Sequence, residues 1–426
     1  MPVEPKQRKP CCLQFEGIRQ RVEAPVADFV VSAHLSGMDP GKDDQFDVAV
    51  VGGGAVGLAA ALVAEVGGFR TAAFAPPSSF PPGRTALVLA GAIELLTELD
   101  VWPALSRHAA PLRAIRIVDS TRRLIRAPEV TFYASEIGIP AFGYNIPNSH
   151  LVDALRRHAG AFAGLTLISA PAEAVNPTDR SVSILGGGRL VSASLVVAAD
   201  GARSLAREAA GIRATRWSYA QSALVTTLSI QHPHQGVSTE YHTEAGPFTI
   251  VPLPGNLVSL VWVDKPQVLE AALALSETEL SLRIEKQAHS IHGAMQVESR
   301  PAVFPLSAAL AERLAANRTM LAGEAAHLFP PIGAQGLNLG FRDVAALRRV
   351  LSFHRTDPGA PLALDAYHRA RQADVRSRTL AVDLLNRSLM SDFLPVQAAR
   401  GLGLALAASV PLIRHTLMRK GMAVRR

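Results

Sequence analysis

FDVAVVGGGAVGLAAALVAEVGGFRTAAF, residues 46–74, leaves little choice about how the chain begins to fold. The apolar run Val48 to Val51 has strand length, the alanine-rich segment after Gly57 has helical character, and a second strand follows at Thr71 to Phe74. Between first strand and helix, Gly52, Gly54 and Gly57 fill the pattern G-x-G-x-x-G. The first glycine permits a sharp turn, the second lets the backbone approach a pyrophosphate, and the third lets helix and strand pack closely. In this setting the pattern specifies a dinucleotide site. One part is missing: the acid expected after the second strand, which would hold ribose hydroxyls, is Ala75, and Glu65 in mid-helix is a poor substitute. Backbone and water, or another side chain reaching over, would have to hold the ribose.

Three further stretches carry glycine-marked breaks or turns. PPGRTALVLAGAIELLTELDVWPAL reads as a loop and then an amphipathic helix, with Arg84 after the Pro-Gly turn. LVVAADGARSLAREAAGI begins as a buried strand and breaks at Asp200-Gly201, where the carboxylate either caps the following helix or serves a cofactor. GEAAHLFPPIGAQGLNLGFRD, Gly323 to Asp343, gathers Gly323, Gly333, Gly336 and Gly340 with two prolines, then turns helical from Leu337. A backbone-exposing loop that feeds a helix start presents free N–H groups and the positive end of the helix dipole, which suits an anion or an electron-rich carbonyl. Standing alone, the stretch fits better as a glycine-rich turn with only a packing role.

An apolar fraction of 48% in 426 residues is ample for two or three packed domains. The formal charge of +7 is spread along the chain, without the basic stripe and interleaved aromatics of a nucleic-acid binder. Cys11 and Cys12 are adjacent in a polar N-terminal region, so neither a disulfide framework nor a metal site follows, and a reducing compartment is expected. The first 45 residues read as a tail, in which a true start at Met38 and a targeting segment both stay open.

From about Tyr219 to Phe304 the runs SALVTTLSIQ, GVSTEYHT, FTIVPLP and LVSLVWVD alternate like strands of a mostly antiparallel sheet. A helix from about Val268 to His289 and a last strand before Pro305 complete that region. His232, His234, His242, His289 and His292 fall on different elements without ligand spacing, so they read as solvated or core histidines. A long helix is expected from Asp343 to about Asp383. The apolar stretch Gly401 to Ile413 contains Pro411 and is too short for a membrane span. With Arg400, Arg414, Arg419, Lys420, Arg425 and Arg426 around it, it suits either an anionic membrane surface or packing on the protein.

In their order, GGGAVG, ADGARS and GEAAHLFPPIGAQGLNLGFRD resemble the FAD-dependent aromatic hydroxylases, the class A flavoprotein monooxygenases. Within that group GRTALVLAGAIELLTELDVWPAL, FGYNIPNSHLVDALRRH and GPFTIVPLPGNLVSLVWV look most like the ubiquinone-biosynthesis hydroxylases, and the likeness runs from roughly residue 46 to 420. The resemblance implies an α/β fold: a Rossmann-like FAD-binding domain with an inserted, mostly antiparallel β-sheet substrate domain and C-terminal helices. Its divisions would be an extension at 1–45, FAD-binding parts at 46–218 and 305–385, the substrate sheet at 219–304, and a helical region at 386–426.

By the same resemblance, Gly52, Gly54 and Gly57 would cradle the FAD pyrophosphate and Arg84 would lie toward the flavin. Asp200 and Gly201 would serve FAD and reduced pyridine nucleotide together, while backbone from Gly333 through Gln335, Gly336 and Leu337 to Asn338 would face the flavin pyrimidine. Glu324 stands where an aspartate would contact the ribityl chain, one methylene longer. The implied reaction takes NADPH or NADH and molecular oxygen, passes through a flavin hydroperoxide and hydroxylates the ring of a polyprenylated phenol. No catalytic base can be named, and His327 reads as a buried histidine bonded to nearby backbone. A cytoplasmic protein is expected, peripheral on the inner membrane and in contact with a quinone-biosynthesis complex. Ala75 and Glu324 keep a non-catalytic accessory member open as an alternative, and a flavin-dependent reductase of isoprenoid double bonds is another.

Overall fold

The computed structural model describes residues 41–422 except 78–79, 81–82, 124–125, 332–334 and 392–393. The readings made on Cys11, Cys12, Met38, Gly333, Arg425 and Arg426 lie outside the described residues. The first strand, Gln45–Val51, lies inside an eight-stranded sheet and pairs parallel with Arg189–Ala198 on one side and Thr71–Phe74 on the other. Thr319–Leu321 extends the parallel row beyond Arg189–Ala198, and Leu165–Ile168 extends it beyond Thr71–Phe74. Both faces of this row are covered, which is why Val48 to Val51 and Leu195 to Ala198 are continuous apolar runs rather than alternating ones. The fingerprint helix, Ala55–Val66, is buried along nearly its whole length, lying between the sheet and the helix Gln335–Phe353. Alanine serves there because larger side chains would hold the layers apart.

A nine-stranded sheet forms the second layer. Its path runs His327–Leu328, Ala302–Ala311, Ala214–Ile230, Leu257–Asp264, Pro247–Leu253, Val237–His242, Ala114–Asp119 and Val130–Tyr133, with Met295–Val297 beside Ala214–Ile230. The sheet is mostly antiparallel but is not confined to residues 219–304, since Ala114–Asp119 joins it parallel to Val237–His242. One face is packed by Trp262, Phe248, Leu269, Leu280 and Ile284 under two helices.

Several elements differ from the sequence reading, each for a local reason. TALVL is not loop: Thr85–Leu89 is a strand, antiparallel to Gly143–Pro147 in a small third sheet. The expected helix from Val268 to His289 is two, Pro266–Leu273 and Glu277–Gln287, because Ser276 and Glu279 form a reciprocal capping box that starts the second. The strand expected to stop before Pro305 runs on to Ala311; the proline is exposed and pairs beside the register shift between Ser218 and Ser222, where a missing N–H is tolerated. The helix expected from Asp343 to Asp383 is also two, Gln335–Phe353 and Pro361–Met390, divided around Asp357, which binds Arg318 and the Gly359 amide. Among the described residues no helix is long and apolar enough to cross a membrane.

The small third sheet stitches the layers together. Thr85 donates to the Ser259 hydroxyl at 3.0 Å, the Asn145 amide donates to the Pro252 carbonyl at 3.0 Å, and the Leu89 N–H donates to the Asn338 side chain at 2.8 Å.

Candidate functional site

The three fingerprint glycines are needed for different reasons. A Cβ on Gly52, whose φ is +134°, would lie 2.2 Å from the Ala199 carbonyl oxygen. One on Gly57 would lie 2.0 Å from the Gly52 carbonyl oxygen, so strand and helix could not meet as they do. Gly54 is the opposite case: its backbone, φ −78° and ψ 176°, suits any residue, and a Cβ would meet nothing within 4 Å. Gly54 precedes helix Ala55–Val66, which has no side-chain cap and no acid in its first turn. Open space above an uncapped helix start is the shape and polarity a pyrophosphate needs.

The sheet brings the other two motifs alongside. Arg189–Ala198 ends at Asp200-Gly201 next to the Gly52 turn, and Thr319–Leu321 ends at Gly323-Glu324 on its far side. All three breaks therefore lie at the carboxyl ends of adjacent parallel strands, where ligands of such sheets bind. Asp200 accepts from the Ser204 hydroxyl and, at 3.1 Å, from the Ala206 N–H, so its carboxylate holds the turn into the next helix. Gly201, φ +84°, has nothing within 4 Å of its Cβ direction. Arg207, fully buried, ties two motifs together by donating to the Ala202 and Ala325 carbonyls at 3.1 Å each. Sequence reading missed it, because an arginine on a short helix carries no local sign of burial.

The third motif rests on a buried ionic chain. Asp343 accepts from the Gly323 N–H at 3.0 Å and the Arg371 Nε at 2.7 Å, and its carboxylate lies 2.7 Å from His327 Nε2. Arg371 continues to Asp374 at 2.7 Å; Arg378 binds Asp374 at 2.9 Å and Gln335 at 2.7 Å. The chain thus grips the turn at Gly323 and the helix start at Gln335, on either side of residues 332–334. His327 is buried as expected, but its partner is a carboxylate sixteen residues on rather than nearby backbone. Burial alone would raise the Asp343 pKa; His327 and Arg371 outweigh it and hold the carboxyl below its ordinary range.

Gly336 has open space around it and Leu337 packs on the core. The Asn338 side chain is committed to the strand Thr85–Leu89, donating to the Leu87 carbonyl at 2.7 Å and accepting from the Leu89 N–H. Glu324 is exposed in the turn Gly323–Ala325. Ala75 is fully buried, and Glu65 is held by the Gly164 backbone. Arg156, which sequence reading passed over, reaches across to donate to the Pro76 carbonyl at 2.8 Å and so sets a guanidinium beside the position where the acid is missing. Among the described residues no group of three or more His, Cys, Asp or Glu side chains is placed to hold a metal ion.

A family model described as FAD binding domain matches residues 45–380, a span that contains all three motifs. The chain belongs to this FAD-binding family. It is 32% identical over 392 residues to ubiquinone hydroxylase UbiL of Rhodospirillum rubrum, covering 89% of this chain and 90% of the relative. It is 30% identical over 392 residues to 3-demethoxyubiquinol 3-hydroxylase of Escherichia coli, covering 89% and 98%. Among solved structures, p-nitrophenol 4-monooxygenase PnpA of Pseudomonas putida DLL-E4 shares the fold with a TM-score of 0.73 at 18% identity, covering 90% of this chain and all of that one.

In this flavoprotein Arg84 lies between the layers. Its guanidinium stands over the Phe304 ring at 5.4 Å, its carbonyl accepts from the Asn148 N–H at 3.1 Å, and it borders a cleft of about 390 Å³. Because Glu324 is exposed, its replacement separates cofactor affinity from stability. Glu324→Ala is expected to leave the melting temperature of the FAD-free protein unchanged and to weaken FAD by on the order of tenfold, the worth of one charge-assisted hydrogen bond. Glu324→Asp should retain most of the affinity. Fluorescence titration with FAD measures both, and equal affinity in all three proteins would remove Glu324 from the site.

Proposed function

We propose that this chain is an FAD-dependent monooxygenase that hydroxylates the aromatic ring of a polyprenylated phenol in ubiquinone biosynthesis, using NADPH or NADH and molecular oxygen. The observation that carries this reading is the placement of three glycine breaks at the ends of three neighbouring parallel strands, beside the antiparallel sheet. When bound, FAD supplies the activation of oxygen, and the protein's task is to hold, orient and shield. The N–H groups at Gly54 and the start of helix Ala55–Val66 would hold the pyrophosphate, with Gly52 and Gly57 fixing the turn. Arg156 would donate to the adenosine ribose in place of the missing acid, and Glu324 would accept from a ribityl hydroxyl. Backbone N–H groups at Gln335 to Asn338, at the positive end of a nineteen-residue helix, would favour negative charge on the pyrimidine edge of the flavin.

The prenyl tail and the membrane belong to the same reading. Leu380, Leu384, Leu402, Leu406, Leu412 and Leu417 are exposed along the last three helices. The final helix, Pro411–Met422, is anchored on the protein by buried Met418 and by Arg414, which pairs with Glu136 and stacks over Phe132 at 4.5 Å. Those leucines would then meet lipid or the prenyl chain, while the anchored helix keeps its place.

Oxygen labelling tests the reading. Purified protein should be yellow, should oxidise NADPH or NADH faster with a prenylated phenol, and should place one atom from labelled oxygen gas in the product. A colourless protein that does not take up FAD would point instead to an accessory member, and an unlabelled reduced product to a reductase.

A further inference from the structure

The cleft of about 390 Å³ beside Arg84 is not used by any of the three FAD motifs. It is lined by Arg84 and Thr85, by Thr227 and Leu253 of the antiparallel sheet, and by Arg107, His108, Ser149 and His150. Among the described residues, no carboxylate lines it. His108 and His150 stack face to face, ring centroids 4.2 Å apart and planes within 6°, although they come from different elements. Ser149 and His150 belong to the first turn of helix Asn148–Ala159, which has no side-chain cap at its start. Two imidazoles at this separation cannot both be protonated without strong repulsion unless an anion lies against them.

Resting on the reading that a reduced nicotinamide dinucleotide is the reductant, we infer that this cleft holds the phosphate groups of NADPH or NADH, gripped by His108, His150, Arg107 and Arg84. The chain has no second glycine fingerprint for that dinucleotide, so it needs a surface of cations rather than a domain of its own. Arg84, Arg107, Ser149 and His150 are all exposed, so the dinucleotide can enter and leave from solvent.

The pair also ties affinity to pH. Partial burial and then the charges of His150, Arg107 and Arg157 lower the His108 pKa below its ordinary value. A bound phosphate opposes those charges, so binding takes up a proton and weakens as pH rises.

The test is a calorimetric titration of the FAD-loaded protein with NADP+, NAD+ and inorganic pyrophosphate between about pH 6 and pH 8, across the ordinary histidine range. The parent should bind NAD+, whose diphosphate stays fully ionised across this range, less tightly as pH rises, and pyrophosphate should compete. In the double variant His108→Asn, His150→Asn, the NADP+ and NAD+ dissociation constants should rise by on the order of tenfold, and that of NAD+ should lose its pH dependence. Its FAD affinity and melting temperature should not change, and Arg107→Ala should weaken NADP+ alone. Unchanged NADP+ affinity in the double variant, or loss of FAD in parallel, would overturn the inference, the second outcome assigning the cleft to FAD. Failure of both NADPH and NADH to bleach the parent's flavin without oxygen would defeat the underlying reading and this inference together.

Discussion

Gly54→Ala is expected to fold as the parent does and to lose FAD. The backbone at Gly54 suits alanine and the new methyl would touch no protein atom, so the melting temperature without cofactor should hold. The same methyl would occupy the space through which backbone meets pyrophosphate, and purified protein should be colourless where the parent is yellow. Gly57→Ala should look different. Its Cβ would sit 2.0 Å from the Gly52 carbonyl oxygen, so strand and helix must move apart, and melting temperature and FAD should both fall. Gly201→Ala forms the third comparison: it meets no atom, but its φ of +84° costs about 1–2 kcal/mol, a moderate loss of stability. Absorbance at the flavin band together with melting curves of the FAD-free proteins reads all three. A yellow Gly54→Ala protein with parental affinity would show that nothing approaches the turn there.

The second large effect is predicted at Asp343→Asn, which keeps the shape and removes the charge. His327 and Arg371 would lose the carboxylate between them, and breaking a buried ion pair in this way costs about 3–5 kcal/mol. The Gly323 N–H would lose a charged acceptor as well, so FAD affinity should fall with stability. The pH dependence follows in sign from the depressed carboxyls of Asp343 and Asp374. A carboxyl held below its unfolded value contributes stability that is present above that value, near 3.9, and is lost as pH falls through the folded one. Acid unfolding of the parent should therefore include a component below about pH 4 that the Asp343→Asn protein lacks. Urea unfolding across that range measures it. A variant within about 0.5 kcal/mol of the parent at neutral pH, the spread of ordinary surface changes, would mean the chain of charges contributes little.

How far the sequence could be read depends on whether the cause of a feature is local. Gly52 and Gly57 are dictated by atoms a few residues away or directly across a strand, and the pattern that shows them is short. Thr85–Leu89 is a strand because of Gly143–Pro147 and the Asn338 amide, and TALVL alone reads as loop. Ser276 and Glu279, three residues apart, are a visible signal for the break between the two helices that was passed over. The ionic chain had none: Asp343, Arg371, Asp374 and Arg378 lie on two helices whose meeting no spacing announces. Arg156 is likewise an ordinary helical arginine until the strand end at Pro76 is beneath it.

The order in which the three parallel strands are made has a consequence for the nascent chain. Gln45–Val51 is synthesised first, yet one neighbour, Arg189–Ala198, comes much later, and the third strand, Thr319–Leu321, follows only after most of the antiparallel sheet. Pairing between strands so distant along the chain is slow to nucleate. No early fragment on the ribosome carries all three glycine breaks together, so they stand side by side only once Thr319–Leu321 has joined the sheet that Gln45–Val51 began.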